Sequence, residues 1–396
     1  MKFRGLDYFN IDELLSEEEK MTRNSAREFF EKEVEPLVAE AFHQEKPVDT
    51  SALARKMGEM GMFGPVIPQE YGGAGTNYTS YGLISQEGER VDSAIGGAIR
   101  VQTGLIMYPI WQYGAEEQKQ KWLPLIAGGE KAGCFGLTEP NRGSDVASME
   151  TVARKDSGGW VINGAKQWIS SAANADFAIA WAQTDEGIRA FIIEAGTPGF
   201  SQSFLKRKGS MRAGDVGELA FTDCRVTAEN MLPGARGVSP ALSCLDQARY
   251  AICWGSIGVA MDCYQTALDY AGEREQFGAP IASYQLVQEK LVNMLIEITK
   301  GQLLAYRLGR LMDEGKARYT QISLTKKNNI SVARMCAATA REILGANGVS
   351  LDFSPIRHMM NVESVYTYQG TDDIHTLILG NDITGFPAFR HTRPKS

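Results

Sequence analysis

The chain is poor in the residues that build metal centres and disulfide scaffolds. Its 396 residues hold six cysteines (134, 224, 244, 253, 263 and 336) with no CxxC pair. They hold four histidines (43, 358, 375 and 391), none spaced i, i+4. That argues against a disulfide framework and against a zinc site, and reducing, cytosol-like conditions fit better. No run of 18 apolar residues exists, so nothing in the sequence reads as a membrane-spanning helix. Net charge is −7, which disfavours nucleic acid or an anionic membrane as general partner. No GxGxxG follows a strand and no GxxxxGK[ST] occurs, which argues against a Rossmann or P-loop nucleotide site. The N-terminal stretch "MKFRGLDYFNIDELLSEEEK" is acidic and amphipathic, unlike a secretory signal or an Arg-rich transit peptide. A bacterial cytoplasm, or an organelle matrix for a processed form, is the expected location.

What is present is the composition of a soluble globular enzyme, 43% hydrophobic and 22% charged. The length exceeds one ordinary core and predicts two or three domains. Residues 1–130 read mostly helical, with Met21, Ala26, Phe29, Val34 and Leu37 at helical spacing and Pro36 as a disturbance. Residues 131–238 read as a small β domain. "GWVINGAKQWIS" carries an Asn163-Gly164 hairpin signal, and "DFAIAWAQT", "IRAFIIEAG" and "GELAFTDCRV" are strand candidates. Residues 239–396 return to helix. Val287, Leu291, Leu295, Leu304, Leu308 and Leu311 predict a bundle helix of about thirty residues. The fold class expected is α+β: helical, β, helical.

Four short motifs carry candidate chemistry. "CFGLTEPNRGSD" (134–145) ends a strand in a polar turn, where Gly143 and Ser144 offer backbone N–H groups and a hydroxyl to an anion. "KQWISSAANADF" (166–177) sets a Trp beside serines, which suits a planar polar ligand. "EREQFGAP" (273–280) puts Arg274 and Phe277 three apart, the spacing of one helix face. "ILGANGVS" (343–350) is a helix end and a Gly-rich turn that lets backbone approach a ligand. Each alone is more often an ordinary loop, a core Trp or a helix stop.

Their joint order carries more. "GCFGLTEPNRGSD", "WISS", "DQARYAICWG", "REQFGAPIASYQLVQ", "EILGANGVS" and "GTDDIHTLILG" follow one another as in the acyl-CoA dehydrogenases. The chain resembles that family over about residues 8–390, and within it the glutaryl-CoA dehydrogenases most. The resemblance implies a helical N-domain, a central β domain, a C-terminal four-helix bundle and non-covalent FAD. It also implies a homotetramer built as a dimer of dimers. It places Phe135, Leu137, Thr138, Gly143 and Ser144 along the flavin, with Trp168 and Ser170 flanking the isoalloxazine. It gives Arg274, Phe277 and Gln285 to the pyrophosphate and adenosine end. Gly345, Ala346 and Gly348 would come from a neighbouring subunit, and Thr371 and Asp373 would close over the cofactor. Ser144, Arg249 and Gly370 belong to the implied acyl-CoA pocket. The implied reaction is α,β-dehydrogenation of an acyl-CoA thioester, with or without decarboxylation, delivering electrons to an electron-transfer flavoprotein or to O2.

Two departures stand out. The family's general base is a Glu before Gly-Thr, and here that position is Gln369. The alternative base position on the bundle helix is Ala248, and Asp246, two residues away, points elsewhere on a helix. The Arg that holds the distal carboxylate in glutaryl-type enzymes falls on Gly96, with Arg100 one turn later. Arg100 and Glu87 are therefore expected to shape the acyl end. Three readings of Gln369 stay open. It is an engineered exchange in a normal dehydrogenase, or it marks different flavin chemistry on a CoA ester (elimination of CO2 or sulfinate, ring formation, O2-dependent oxidation). The third is a non-catalytic CoA- or flavin-binding relative.

Overall fold

The computed structural model describes residues 7–388. His391, the first six residues of the acidic N-terminal stretch and the last two residues of the family-like span lie outside the described residues. The N-terminal part contains α1 (Glu17–Phe29), α2 (Glu35–Gln44), α3 (Ser51–Glu59), α4 (Tyr78–Val91), α5 (Ser93–Arg100), α6 (Tyr108–Tyr113) and α7 (Glu116–Ala127). A capping box starts α1. Ser16 Oγ accepts from the Glu19 N–H at 3.2 Å, and the Glu19 carboxylate accepts from the Ser16 N–H at 2.8 Å. Pro36 does not break the helical run. A π-helical turn, Phe30–Val34, joins α1 to α2 and leaves Pro36 in the first turn of α2, where its missing N–H costs little.

The central part is one seven-stranded sheet: β1 (Gly133–Gly136), β2 (Val152–Asp156), β3 (Gly159–Ser170), β4 (Phe177–Thr184), β5 (Gly187–Glu194), β6 (Phe200–Phe204) and β7 (Val216–Val226). One edge of β4 pairs antiparallel with β5, the other parallel with β1 and then β2. β2, β3, β7 and β6 continue antiparallel. The Asn163-Gly164 turn expected from sequence is absent. β3 runs through both residues, and the chain turns instead at 157–158, between β2 and β3. Gly164 has φ 146°, and a Cβ there would lie 2.5 Å from Thr151 Oγ1. The glycine serves a close crossing and a register slip against β7, not a hairpin.

The C-terminal part is α8 (Ser239–Glu273), α9 (Gln285–Asp313), α10 (Tyr319–Ile343), α11 (Ser354–Thr367) and α12 (Asp372–Thr384). The predicted thirty-residue helix is α9, of 29 residues. α8 is buried along most of its length, because it packs on α4 on one side and on α9 and α10 on the other. Small residues let α4 and α8 touch. A Cβ on Gly82 would fall 2.3 Å from the Trp254 ring, and one on Gly258 only 2.0 Å from the Gln86 carbonyl. That close contact fixes where α4 presents its side chains to the site.

Candidate active site

The segment between α11 and α12 is a tight turn. Gln369 has φ 52° and Gly370 φ 94°, two consecutive left-handed residues. For a residue with a Cβ this costs of order 1 kcal/mol, so the surroundings must hold it. They do so through the carbonyls. Arg249 Nε donates to the Gln369 carbonyl at 2.7 Å. Lys326 Nζ donates to the carbonyls of Tyr368 and Gly370 at 2.8 and 2.7 Å. In a trans peptide the N–H points opposite to the C=O. The N–H groups of Gln369, Gly370 and Thr371 are thereby turned away from the two cations, as in anion-binding backbone nests. A Cβ on Gly370 would meet His375 Nε2 at 2.8 Å and Arg249 Nη2 at 3.2 Å, so this position excludes any side chain. Thr371 then caps α12, accepting from the Ile374 N–H at 3.2 Å.

The charges around this turn are mostly positive. Arg249 is paired with Asp246 at 2.8 Å. Lys326 is fully buried, and its burial together with Arg249 pushes its ammonium well below a lysine's ordinary value. His375 is pushed down to about 2 by burial and by Lys326 and Arg249, so it is a neutral imidazole at physiological pH. Burial raises Asp246, against the pull of Arg249. Ala248 is fully buried and supplies only a methyl group. Gln369 Oε1 is itself buried and has no hydrogen-bond partner.

At the acyl end expected from sequence, the structure corrects one assigned contact and shows another. Glu87 does not meet Arg100. It accepts from Arg27 at 2.9 and 3.0 Å and from Arg90 at 2.9 Å, clasping α1 to α4. The carboxylate that meets Arg100 is Glu89: Arg100 Nη1 donates to Glu89 Oε1 at 2.6 Å. Arg100 Nη2 donates to the Tyr368 hydroxyl at 2.9 Å, which ties the guanidinium to the Gln369 turn. Position 96 cannot carry a side chain, since a Cβ there would lie 2.3 Å from the Gly88 carbonyl carbon. The cation is instead on the next turn of α5, and its guanidinium fills the space over Gly97, 2.9 Å from where a Cβ would stand.

The remaining predicted residues fall into two groups. The first gathers around β1 and β3. Phe135 and Leu137 are buried, Thr138 is half-buried, and Gly143 and Ser144 are exposed. Glu139 anchors this loop, accepting from the N–H groups of Glu150 and Thr151 at 2.5 and 2.8 Å and from Lys166 Nζ at 2.8 Å. The Gln167 N–H donates to the Thr138 carbonyl at 3.0 Å, bringing the loop beside Trp168. Trp168 sits at a β-bulge with φ 62° and its residue is 61% exposed; Ser170 follows on the same strand. An exposed indole flanked by hydroxyls and open backbone fits a planar heteroaromatic such as an isoalloxazine.

The second group lies at the C-terminal end of α8. Arg274 and Phe277 do not share a helix face. α8 ends at Glu273, and Glu275–Gln276 pairs with Ala279–Pro280 in a short hairpin. Phe277 and Gly278, at its tip, have φ 53° and 83°, the two positive values of a hairpin turn. Phe277 is 96% exposed. Gln285 opens α9, also exposed. The Gly345–Val349 turn lies nearby, since Asn347 Nδ2 donates to the Tyr270 hydroxyl at 3.1 Å. Asp373 is exposed in the first turn of α12.

Sequence reasoning missed Glu89, Tyr368, Lys326 and His375. Lys326 had a readable signal: it falls in the buried helical stripe of Ile322, Thr325, Asn329 and Ile330 on α10.

Known proteins share this arrangement. Residues 16–130, 134–224 and 235–384 match the N-terminal, middle and C-terminal domains of acyl-CoA dehydrogenase. The chain belongs to the acyl-CoA dehydrogenase family. It is 34% identical over 386 residues to glutaryl-CoA dehydrogenase of Desulfococcus multivorans, covering 95% of this chain and 98% of that one. It is 32% identical over 376 residues to the mouse mitochondrial short-chain specific acyl-CoA dehydrogenase, covering 93% and 90%. A crystal structure of glutaryl-CoA dehydrogenase from Mycobacterium smegmatis in complex with FADH2 superposes with TM-score 0.95 at 44% identity, covering 97% of this chain and 99% of that one. This acyl-CoA dehydrogenase-like protein is an oxidoreductase of that family, and its cofactor is FAD.

Proposed function

We propose that this flavoenzyme acts on an acyl-CoA thioester at the Gln369 turn by chemistry that does not depend on a carboxylate base at residue 369. The observation that carries the reading is the turn itself. Its backbone is clamped by Arg249 and Lys326, while the side chain at its apex is an uncharged amide. The thioester oxygen binds the outward N–H groups of this turn, which stabilise negative charge developing on it. Gly370 lets the substrate pass close to the backbone, and Arg249 holds the apex in place. Ser144 lies at the mouth of the acyl-CoA pocket.

The flavin, when bound, supplies a two-electron acceptor. Phe135, Leu137, Thr138, Gly143, Ser144, Trp168 and Ser170 hold its ring end. Arg274, Phe277 and Gln285 take the pyrophosphate and adenosine end, Thr371 and Asp373 close over it, and Gly345, Ala346 and Gly348 serve a neighbouring subunit of a homotetramer. The exposed apolar side chains of Phe277, Leu286 and Val349 support such an assembly.

None of the described candidates beside residue 369 replaces a carboxylate there. His375, with its pKa pushed down to about 2, is too weak a base, Ala248 has no polar side-chain atom, and Asp246 is engaged by Arg249. Loss of CO2 or another leaving group needs an electron sink at the thioester more than it needs a base. The test is anaerobic flavin bleaching by glutaryl-CoA and butyryl-CoA, with mass spectrometry of the CoA products with and without O2. Gln369→Glu should accelerate bleaching by roughly 10²–10⁴-fold, the contribution of a positioned general base. Equal rates in the two proteins would refute the reading.

A further inference from the structure

The Arg100–Glu89 pair is surrounded by polar atoms that nothing satisfies. Tyr81 Oη, Glu89 Oε2 and Arg100 Nε are all buried and have no hydrogen-bond partner. Their residues are 0%, 1% and 4% exposed. The Ser93 hydroxyl stands close enough to the Glu89 carboxylate to pull its pKa down, yet neither Ser93 Oγ nor Glu89 Oε2 has a well-formed hydrogen bond. Leaving such an atom alone is costly, so several around one ion pair need a reason. Two residues away on the same helix, both oxygens of Glu87 have partners. On α4 the contrast places the unfilled hydrogen bonding at Glu89 and not at Glu87.

The unsatisfied atoms differ in kind. Glu89 Oε2 can only accept, Arg100 Nε can only donate, and Tyr81 Oη can do either. We propose that the acyl end of the site is a subsite for an uncharged group that both donates and accepts hydrogen bonds, such as a hydroxyl or a carboxamide, and not for a free carboxylate. The proposal rests on the acyl-CoA reading above and names the class of acyl group. A carboxylate has no proton to give Glu89 Oε2. It would also set a second negative charge beside a guanidinium already matched by Glu89 at 2.6 Å. Two buried carboxylates facing one cation repel, and the site pays for this by taking up a proton or by weaker binding. No second cation can be supplied from position 96, which is closed against Gly88. The Arg100 contact with the Tyr368 hydroxyl passes occupancy of the subsite to the Gln369 turn.

The experiment is calorimetric binding of three CoA thioesters to the FAD-loaded protein: glutaryl-CoA, its terminal monoamide and pentanoyl-CoA. The monoamide should bind roughly tenfold tighter than either of the others, the effect of one satisfied buried group. Tyr81→Phe removes one hydroxyl while keeping the ion pair, so it should fold, and it should narrow the monoamide-to-pentanoyl ratio several-fold. Arg100→Gln with Glu89→Gln should abolish the ratio. Glutaryl-CoA binding more tightly than its monoamide, or all three binding within about threefold, overturns the proposal and leaves the acyl-CoA reading intact. Binding by none of the three overturns both.

Discussion

Glu87 and Glu89 stand two residues apart on α4, equally buried, and their surroundings push them in opposite directions. Around Glu87, burial would raise the carboxyl, but hydrogen bonds and charge from Arg27 and Arg90 hold it below the ordinary range. Around Glu89, burial raises the carboxyl, and Arg100 and Ser93 together do not bring it back. The first region is a finished clasp between α1 and α4. The second is a charge pair with unused valences, next to the turn that carries Gln369. Burial of charge is therefore no guide to role on this helix. What separates the two carboxylates is whether their hydrogen bonds close.

The comparison can be broken by substitution. Glu87→Gln leaves two guanidinium groups at the α1–α4 contact short of an acid and should cost about 3–5 kcal/mol. Urea unfolding would read this, and a loss under 1 kcal/mol would mean that the clasp is not structural. On the site side, Gly97→Ala drives a methyl group to within 2.9 Å of Arg100 Nη1. A cost of about 1–3 kcal/mol is expected from such overpacking. Because the guanidinium must shift, the variant should also lose the tighter binding of a monoamide acyl group in the same calorimetric series.

The smallest effect is a pH slope. His375 has a folded value of about 2, below its ordinary 6.5. Between these limits the unfolded chain binds a proton that the native fold refuses, so stability falls as pH drops below 6.5. The slope from this residue approaches about 1.4 kcal/mol per pH unit. His375→Gln should flatten the melting-temperature profile between pH 6.5 and 5, and an unchanged profile would show that the imidazole is solvated.

Much of this was legible in the chain. The apolar period of α9, the strands β4, β5 and β7 and the order of family motifs all follow from short-range pattern. β6, "FSQSF", was not, because a five-residue edge strand offers little period. Asn163-Gly164 misled because its glycine answers to Thr151 across the sheet and not to a local turn. Arg274 and Phe277 misled because α8 stops one residue before the motif begins its hairpin. The choice between Glu87 and Glu89 could not be made from α4 alone. That helix is buried on every side, so it has no polar face to show which carboxylate looks inward. Arg100 was found by spacing, but what closes position 96 to any side chain is Gly88, a backbone neighbour on another helix.

The clamp on the 368–370 carbonyls has a further consequence. The side-chain hydrogen bonds to the carbonyls of residues 368–370 come from Arg249 and Lys326, and none of them passes through the side chain of residue 369. The mount and the tool are separate parts. An amide, a carboxylate or a small hydroxyl can be exchanged at the apex while the turn keeps its form, so under the proposed function a lineage can explore new reactions at this one position without first losing its grip on CoA esters.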